Sequence, residues 1–285
     1  MTRNIQIPEP PTELLNYCRE LEELVTEKLQ VLRDQPFPES AGSEEAVEAI
    51  RMLGKSGSLE EMGLVPCQGE ELAANFREIA RLFQHHFPKD PLAIALQQAP
   101  VAEWFAAGYH PSSAGKVLPA AALAWAERQE LDSDNLQELL HWAAAPARRR
   151  AAEHYREDLA AMVTNERGRC PICGRNADFA ELSDREHGRR YLACMHCDIS
   201  WPFRRIGCTY CGNKEFETLG YLMVDGCKTY KIYHCEKCLG YLKTYDRRDD
   251  GPLTRKRPLL ENIHTYFLDL LALKQGYLPT PAAKD

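Results

Sequence analysis

Eight of the chain's 11 cysteines fall into four Cys-x-x-Cys pairs: Cys170/Cys173, Cys194/Cys197, Cys208/Cys211 and Cys235/Cys238. A turn of this kind puts two sulfurs on one side of a tight loop, and two such knuckles complete a tetrahedron of soft thiolates around one ion. The spacer is 20 residues within the first half (174–193), 23 within the second (212–234) and 10 between the halves (198–207). The first half fits the usual four-cysteine metal-site pattern and the second runs slightly over it. The short central link favours two sequential sites, with interleaved pairing as the alternative. Gly174 and Gly212 follow their pairs directly, where a positive φ is needed, and Pro171 stiffens the first knuckle. Four thiolates leave no open coordination position, so each site reads as structural rather than catalytic. Tetrahedral sulfur suits zinc or a rubredoxin-type iron, two ions per chain in all. The competing reading is disulfides or redox pairs. An odd cysteine total and an N-terminus without an apolar leader argue against it.

The other chemistry-bearing residues point to no reaction. Cys18, Cys67 and Cys227 read as small buried hydrophobes. His85 and His86 read as a partly exposed helical pair, whereas His196 and His234 lie in or beside knuckles whose ligand sets are already complete. Trp201-Pro202-Phe203 reads as hairpin core rather than as an exposed contact strip. No phosphate loop, dinucleotide fingerprint, zinc-protease helix or nucleophile elbow is present, and no nucleophile is assembled with a base. The expectation is a protein that is not an enzyme.

Charge narrows the partners. The chain carries 35 Lys and Arg against 42 Asp and Glu, a net −7. Residues 166–257 hold 18 Lys and Arg against 13 Asp and Glu, and eight thiolates with two divalent ions bring this region close to neutral. That argues against nucleic acid as the partner. Arg204-Arg205, Arg247-Arg248 and Arg255-Lys256-Arg257 read as solvated turn charges, with a local basic patch as the alternative.

The elements that must carry the cysteines fall into two kinds. At 285 residues the chain is long enough for about two domains. Its longest apolar run, residues 117–126, is half the roughly twenty residues a membrane span needs. Apolar residues recur at helical spacing over 12–34, with Thr12 as the expected N-cap, and over 70–87, 91–98, 114–129, 134–144 and 147–165; a further helix is expected at 43–55. From residue 167 to 245 the helical period gives way to β-formers, with alternation at 229–234. Asp246 to Asp250 with Gly251-Pro252 reads as a linker, and 258–276 returns to one helix that should pack back on the body. The expected architecture is a mainly α N-terminal helical bundle (1–165), two small β-rich zinc-ribbon or rubredoxin-like modules (166–206 and 207–250), and a linker with a C-terminal helix (251–285).

The runs Cys170-Pro171-Ile172-Cys173-Gly174, Arg190-Tyr191-Leu192-Ala193-Cys194, Cys208-Thr209-Tyr210-Cys211-Gly212 and Cys235-Glu236-Lys237-Cys238, followed by Gly240-Tyr241-Leu242-Lys243, are similar to the formate dehydrogenase accessory protein FdhE family. The resemblance is specific over about residues 167–246 and looser in the helices. Its closing helix lacks the acidic pair expected at Pro258-Leu259-Leu260-Glu261-Asn262-Ile263. The resemblance implies a cytoplasmic bacterial protein that assists maturation or activity of a formate dehydrogenase. By the same implication its partner is the catalytic subunit, its metal ligands are the eight paired cysteines, and no catalytic residue carries over. A homodimer stays open. So do two other functions, a zinc-ribbon nucleic-acid binder and a rubredoxin-like electron carrier.

Overall fold

A computed structural model describes residues 9–38, 57–105, 119–162, 166, 168–183, 188–224, 227–247, 257–279 and 281. The helix expected at 43–55, the start of the one at 114–129, and Arg248, Arg255 and Lys256 lie outside them. Eight helices precede the cysteine region among the described residues: α1 (Thr12–Arg33), α2 (Gly69–His86), α3 (Pro91–Ala95), α4 (Val101–Trp104), α5 (Ala120–Arg128), α6 (Ser133–Ala143), α7 (Ala145–His154) and α8 (Arg156–Met162).

The apolar stripe of α1 buries Tyr17, Cys18, Leu21, Val25, Leu29 and Leu32 against α2 and α7. Thr12 does not cap this helix: it is the first helical residue, and Pro11 occupies the cap with no side-chain bond. Asp90 and Asp132 do cap, accepting from backbone amides of α3 and α6 at 2.8 and 2.9 Å. The helix expected over 147–165 breaks at Tyr155, which separates α7 from α8. The closing helix also breaks. It forms α9 (Pro258–His264) and α10 (Tyr266–Lys274), parted at Thr265, whose buried hydroxyl donates back to the Glu261 carbonyl at 2.6 Å.

Six strands make one sheet: β1 (Phe179–Leu182), β2 (Arg190–Cys194), β3 (Ile199–Phe203), β4 (Leu219–Val224), β5 (Cys227–Cys235) and β6 (Tyr241–Asp246). The order is β3-β2-β1-β6-β5-β4. Each half is an antiparallel meander, and the halves join where β1 runs parallel to β6, with Ala180, Glu181 and Leu182 beside Thr244, Tyr245 and Asp246. The two ribbons therefore share one hydrogen-bonded sheet. Strand β6 at the seam is buried along its whole length.

The cores divide differently from the sheet. One continuous apolar cluster runs from α1 to α8 into the first ribbon, taking in Ile172, Ala180, Leu192, Trp201 and Phe203. The second ribbon has a small core of its own, in which Ile232 and Tyr241 meet Phe267, Leu268 and Ala272 of α10. Helix α9 packs on α1, and α10 on β5 and β6, so the C-terminal segment ties the helical part to the second ribbon. No described helix is long and apolar enough to cross a membrane.

Candidate metal centres

The four knuckles occupy equivalent places. In each ribbon one knuckle precedes the first strand, and the other lies between the second strand and the third. Folding brings Cys170, Cys173, Cys194 and Cys197 together in one set and Cys208, Cys211, Cys235 and Cys238 in another, the ligand atoms of each lying within 4.8 Å of one another. The pairing is sequential, not interleaved.

The distances suit an ion. Cys173 Sγ lies 3.8 Å from Cys194 Sγ; in the second set Cys208 to Cys238 is 3.5 Å and Cys211 to Cys235 is 3.8 Å. A tetrahedron with metal–sulfur bonds of about 2.3 Å has sulfur–sulfur edges of about 3.8 Å. A disulfide would need about 2.05 Å, and all these cysteines are free. Four thiolates at that spacing fit zinc or iron, and each set is closed.

The local backbone explains how the knuckles form. The residue after the second cysteine has positive φ in all four: Gly174 at 68°, Asp198 at 49°, Gly212 at 70° and Leu239 at 59°. Two of these are the glycines expected. Asp198 and Leu239 hold the same left-handed turn with side chains attached, at a backbone cost of about 1–2 kcal/mol each. In three knuckles the amide of the first cysteine donates to the carbonyl five residues on, Cys170 to Arg175, Cys208 to Asn213 and Cys235 to Gly240, at 2.8–3.0 Å. Backbone amides also aim at sulfur: Tyr210 N–H lies 3.4 Å from Cys208 Sγ, and Gly240 N–H 3.4 Å from Cys238 Sγ. The amide of Asn213 reaches Cys235 Sγ at 3.5 Å. Burial raises the Cys235 thiol, but the donors around it outweigh that effect and hold it below its ordinary value.

The two centres differ in setting. All four sulfurs of the first are buried at the junction of ribbon and helices, whereas Cys211 of the second is exposed. A divalent ion with four thiolates carries two net negative charges, which in a dry interior need compensation. Three arginines of this chain supply it. Arg148 and Arg149 on α7 act on Cys197, Arg148 also on Cys173, and Arg175 on Cys173 and Cys194. Each arginine is held in turn by a carboxylate. Arg148 donates to Glu60 through Nε and Nη2 at 2.9 and 3.0 Å, and to the His141 carbonyl at 3.1 Å. Arg149 donates to Glu22 at 2.6 and 3.0 Å and to the Met195 and His196 carbonyls of the second knuckle. Arg175 donates to Glu138 at 3.0 Å, and Glu138 lies 2.9 Å from His196 Nε2. The segment carrying Glu60 also clasps the first knuckle through its backbone, Leu59 N–H to the Pro171 carbonyl at 2.9 Å and Glu60 N–H to Ile172 at 3.0 Å.

The remaining cysteines stand apart from both sets. Cys18 and Cys67 are buried and burial raises their thiols, that of Cys18 to about 12, so neither is a ready thiolate. Cys227 opens β5, half-buried. His196 is buried with its ring 4.5 Å from Trp142, and with Asp178 and Cys194 it forms a further group of ligand-type atoms flanking the first centre. The buried arginines escaped the sequence reading. The signal was the run Arg148-Arg149-Arg150 inside an Ala-rich helix, where side chains on the core face need acidic partners.

Comparison with known proteins follows this geometry. No family model matches. An FdhE homologue of Aquifex aeolicus is 36% identical over 111 residues, 38% of each chain. One of Pseudomonas aeruginosa is 32% identical over 134 residues, covering 43% of this chain and 40% of that protein. The chain thus spans about two fifths of the length of the curated relatives it matches. The crystal structure of FdhE from Pseudomonas aeruginosa superposes with a TM-score of 0.50 over 95% of this chain and 96% of that one, at 20% identity, and has the same fold. The chain is thus similar to FdhE proteins over about two fifths of its length and shares the fold of that crystal structure over nearly all of it.

Proposed function

We propose that this chain is a non-catalytic accessory factor that binds the catalytic subunit of a formate dehydrogenase in the cytoplasm and supports its maturation or activity. The carrying observation is the pair of closed four-sulfur sets in one sheet built into a helical body, in a chain similar to FdhE proteins. In this reading Cys170, Cys173, Cys194 and Cys197 hold one ion, and Cys208, Cys211, Cys235 and Cys238 the other. Zinc there would supply a rigid scaffold, and iron would add a reversible one-electron couple. Arg148, Arg149 and Arg175 orient and neutralise the first set. The same reading divides the chain into a helical domain (1–165), the two ribbons (166–206 and 207–250) and a closing segment (251–285).

Two experiments test it together. Tagged chain purified anaerobically from its host should bring down a formate dehydrogenase catalytic subunit and contain two metal equivalents. A strain lacking the gene should lose formate dehydrogenase activity. Full activity in that strain would sink the accessory role; fewer than one metal per chain would sink the ligand assignment. A second reading, electron transfer at the second centre, is favoured by the exposure of Cys211. It requires iron with a reversible potential, and two colourless zinc ions would remove it.

A further inference from the structure

Each centre is clasped by a distant stretch of backbone, and the two clasps differ in depth. At the first centre Leu59 and Glu60 hold the Pro171 and Ile172 carbonyls from within the core. At the second the clasp is the segment that follows α10. Leu278 pairs with Gly240 in a parallel bridge. Its amide donates to the Leu239 carbonyl at 2.8 Å, and its carbonyl accepts from the Tyr241 amide at 3.1 Å. The groups of Gly240 itself are taken by the knuckle: its N–H lies 3.4 Å from Cys238 Sγ, and its carbonyl accepts from the Cys235 amide at 3.0 Å. Leu278 thus grips from outside the same turn whose inner groups meet the cysteines.

The same segment reaches the other knuckle of that centre. The Pro279 carbonyl lies 2.8 Å from the hydroxyl of Tyr210, which sits between Cys208 and Cys211 and is also 2.8 Å from the Tyr241 carbonyl. Tyr277 stacks on His234 at 4.3 Å, and its hydroxyl donates to Glu236 at 2.6 Å. The fit is close, because a Cβ at Gly240 would meet Tyr210 Cδ2 at 2.6 Å and Pro281 Cγ at 2.8 Å. Yet the strap is shallow. Leu278 is 45% exposed and Gly276 and Pro279 are exposed, whereas Leu59 is fully buried. Helix α10 also ends without the strap's help. Gly276 turns into the left-handed region at φ 86°, and the Gly276 and Tyr277 amides return to the Leu273 and Ala272 carbonyls at 3.0 Å. Backbone bonds at such an exposed position open in local fluctuations that leave the core intact.

We propose that residues 276–279 are a releasable latch on the second centre. Closed, the latch ties both knuckles together around the four sulfurs and retains their ion. Open, it frees the Cys235/Cys238 turn, and the ion exchanges. The inference rests on Cys208, Cys211, Cys235 and Cys238 holding one ion, and not on the formate dehydrogenase reading.

The test loads the full chain with cadmium-113 and follows the NMR resonance of each four-sulfur site, assigned through its cysteine β-protons, during a chelator challenge. Tyr277→Ala/Leu278→Pro removes the ring on His234 and the amide that reaches Leu239. The second site should then lose its ion about tenfold faster than in the parent chain, while the first keeps its rate to within about twofold. Leu278→Ala keeps both backbone bonds and should match the parent. A chain ending at Gln275 should reproduce the fast loss, and it carries the test if the double variant misfolds. Unchanged loss from the second site, or equal acceleration at both, would overturn the latch. So would Leu278→Ala losing the ion as fast as the double variant. A parent chain that holds a single cadmium ion would overturn the ligand assignment and the latch with it.

Discussion

Arg148 offers the sharpest test of how the first centre is held. It is fully buried and meets Glu60 by two hydrogen bonds of 2.9 and 3.0 Å. The Glu60 side chain is 2% exposed. Arg148→Met removes the cation that hydrogen-bonds that carboxylate. Breaking one side of a buried pair costs about 3–5 kcal/mol, while replacing both sides by apolar residues is often neutral. Arg148→Met should therefore lower stability by about that amount, and Arg148→Met/Glu60→Leu should recover most of it. With a urea slope of about 3 kcal/mol per molar, the single variant shifts the midpoint down by about 1–1.7 M. The effect should reach the metal too, because Leu59 and Glu60 clasp the Pro171 and Ile172 carbonyls of the first knuckle. The assay is urea unfolding by circular dichroism, with metal counted after a chelator challenge. The expected outcome is loss of the first ion while the second responds as in the parent chain. A midpoint change below about 0.3 M, or a double variant no better than the single, would refute the pair as the strut between α7 and the first centre.

Four further outcomes follow from the same geometry. Because Cys211 is exposed while the first set is buried, a chelator should strip the second ion on the order of tenfold faster than the first; equal rates would contradict the asymmetry. Gly212→Ala meets open space at a φ of +70°, so it should cost only about 1 kcal/mol of backbone energy. Gly168→Ala drives a methyl to 2.1 Å from the Thr209 carbonyl and should cost clearly more, as paired thermal melts would read. Cys227→Ser should retain two metal equivalents by elemental analysis. Burial holds the Lys243 ammonium below its ordinary value, despite Asp269 at 2.7 Å. The folded chain thus binds that proton less tightly than the unfolded chain does. The penalty is present at neutral pH and lifts as pH climbs from the lowered value to the ordinary lysine value. The parent chain should therefore gain stability relative to Lys243→Met as pH rises toward the ordinary lysine value of about 10.4, and a constant difference would contradict it.

What the sequence made legible was periodic or strictly spaced. The stripe of α1 buries the residues its three-and-four steps select, and cysteine spacing favoured the two sets into which the fold gathers the eight sulfurs. What stayed hidden depends on pairing between distant segments. Nothing in the spacing of β1 and β6 announces that Ala180 will lie beside Thr244. The roles of Arg148 and Arg149 went unread because their partners, Glu60 and Glu22, sit 88 and 127 residues away. The breaks at Tyr155 and Thr265 were missed because the apolar period continues across them. Leu239 escaped because a left-handed turn is legible only where glycine advertises it.

The seam between β1 and β6 has a consequence for the symmetry of the molecule. It joins the first strand of one ribbon to the last strand of the other, so the ribbons are related by a displacement along the sheet and not by a two-fold axis. An interface of that kind is not self-complementary. A lone ribbon repeating this seam would associate head to tail, in a row with no geometrical reason to close. Two units in one polypeptide are the shortest such row. Growth past the second ribbon would have to begin at β4, where the register slips between Leu222 and Val224. A slip of this kind re-aims the backbone groups of an edge and spoils it as a template for another full strand. The row therefore carries its own stop at the β4 edge.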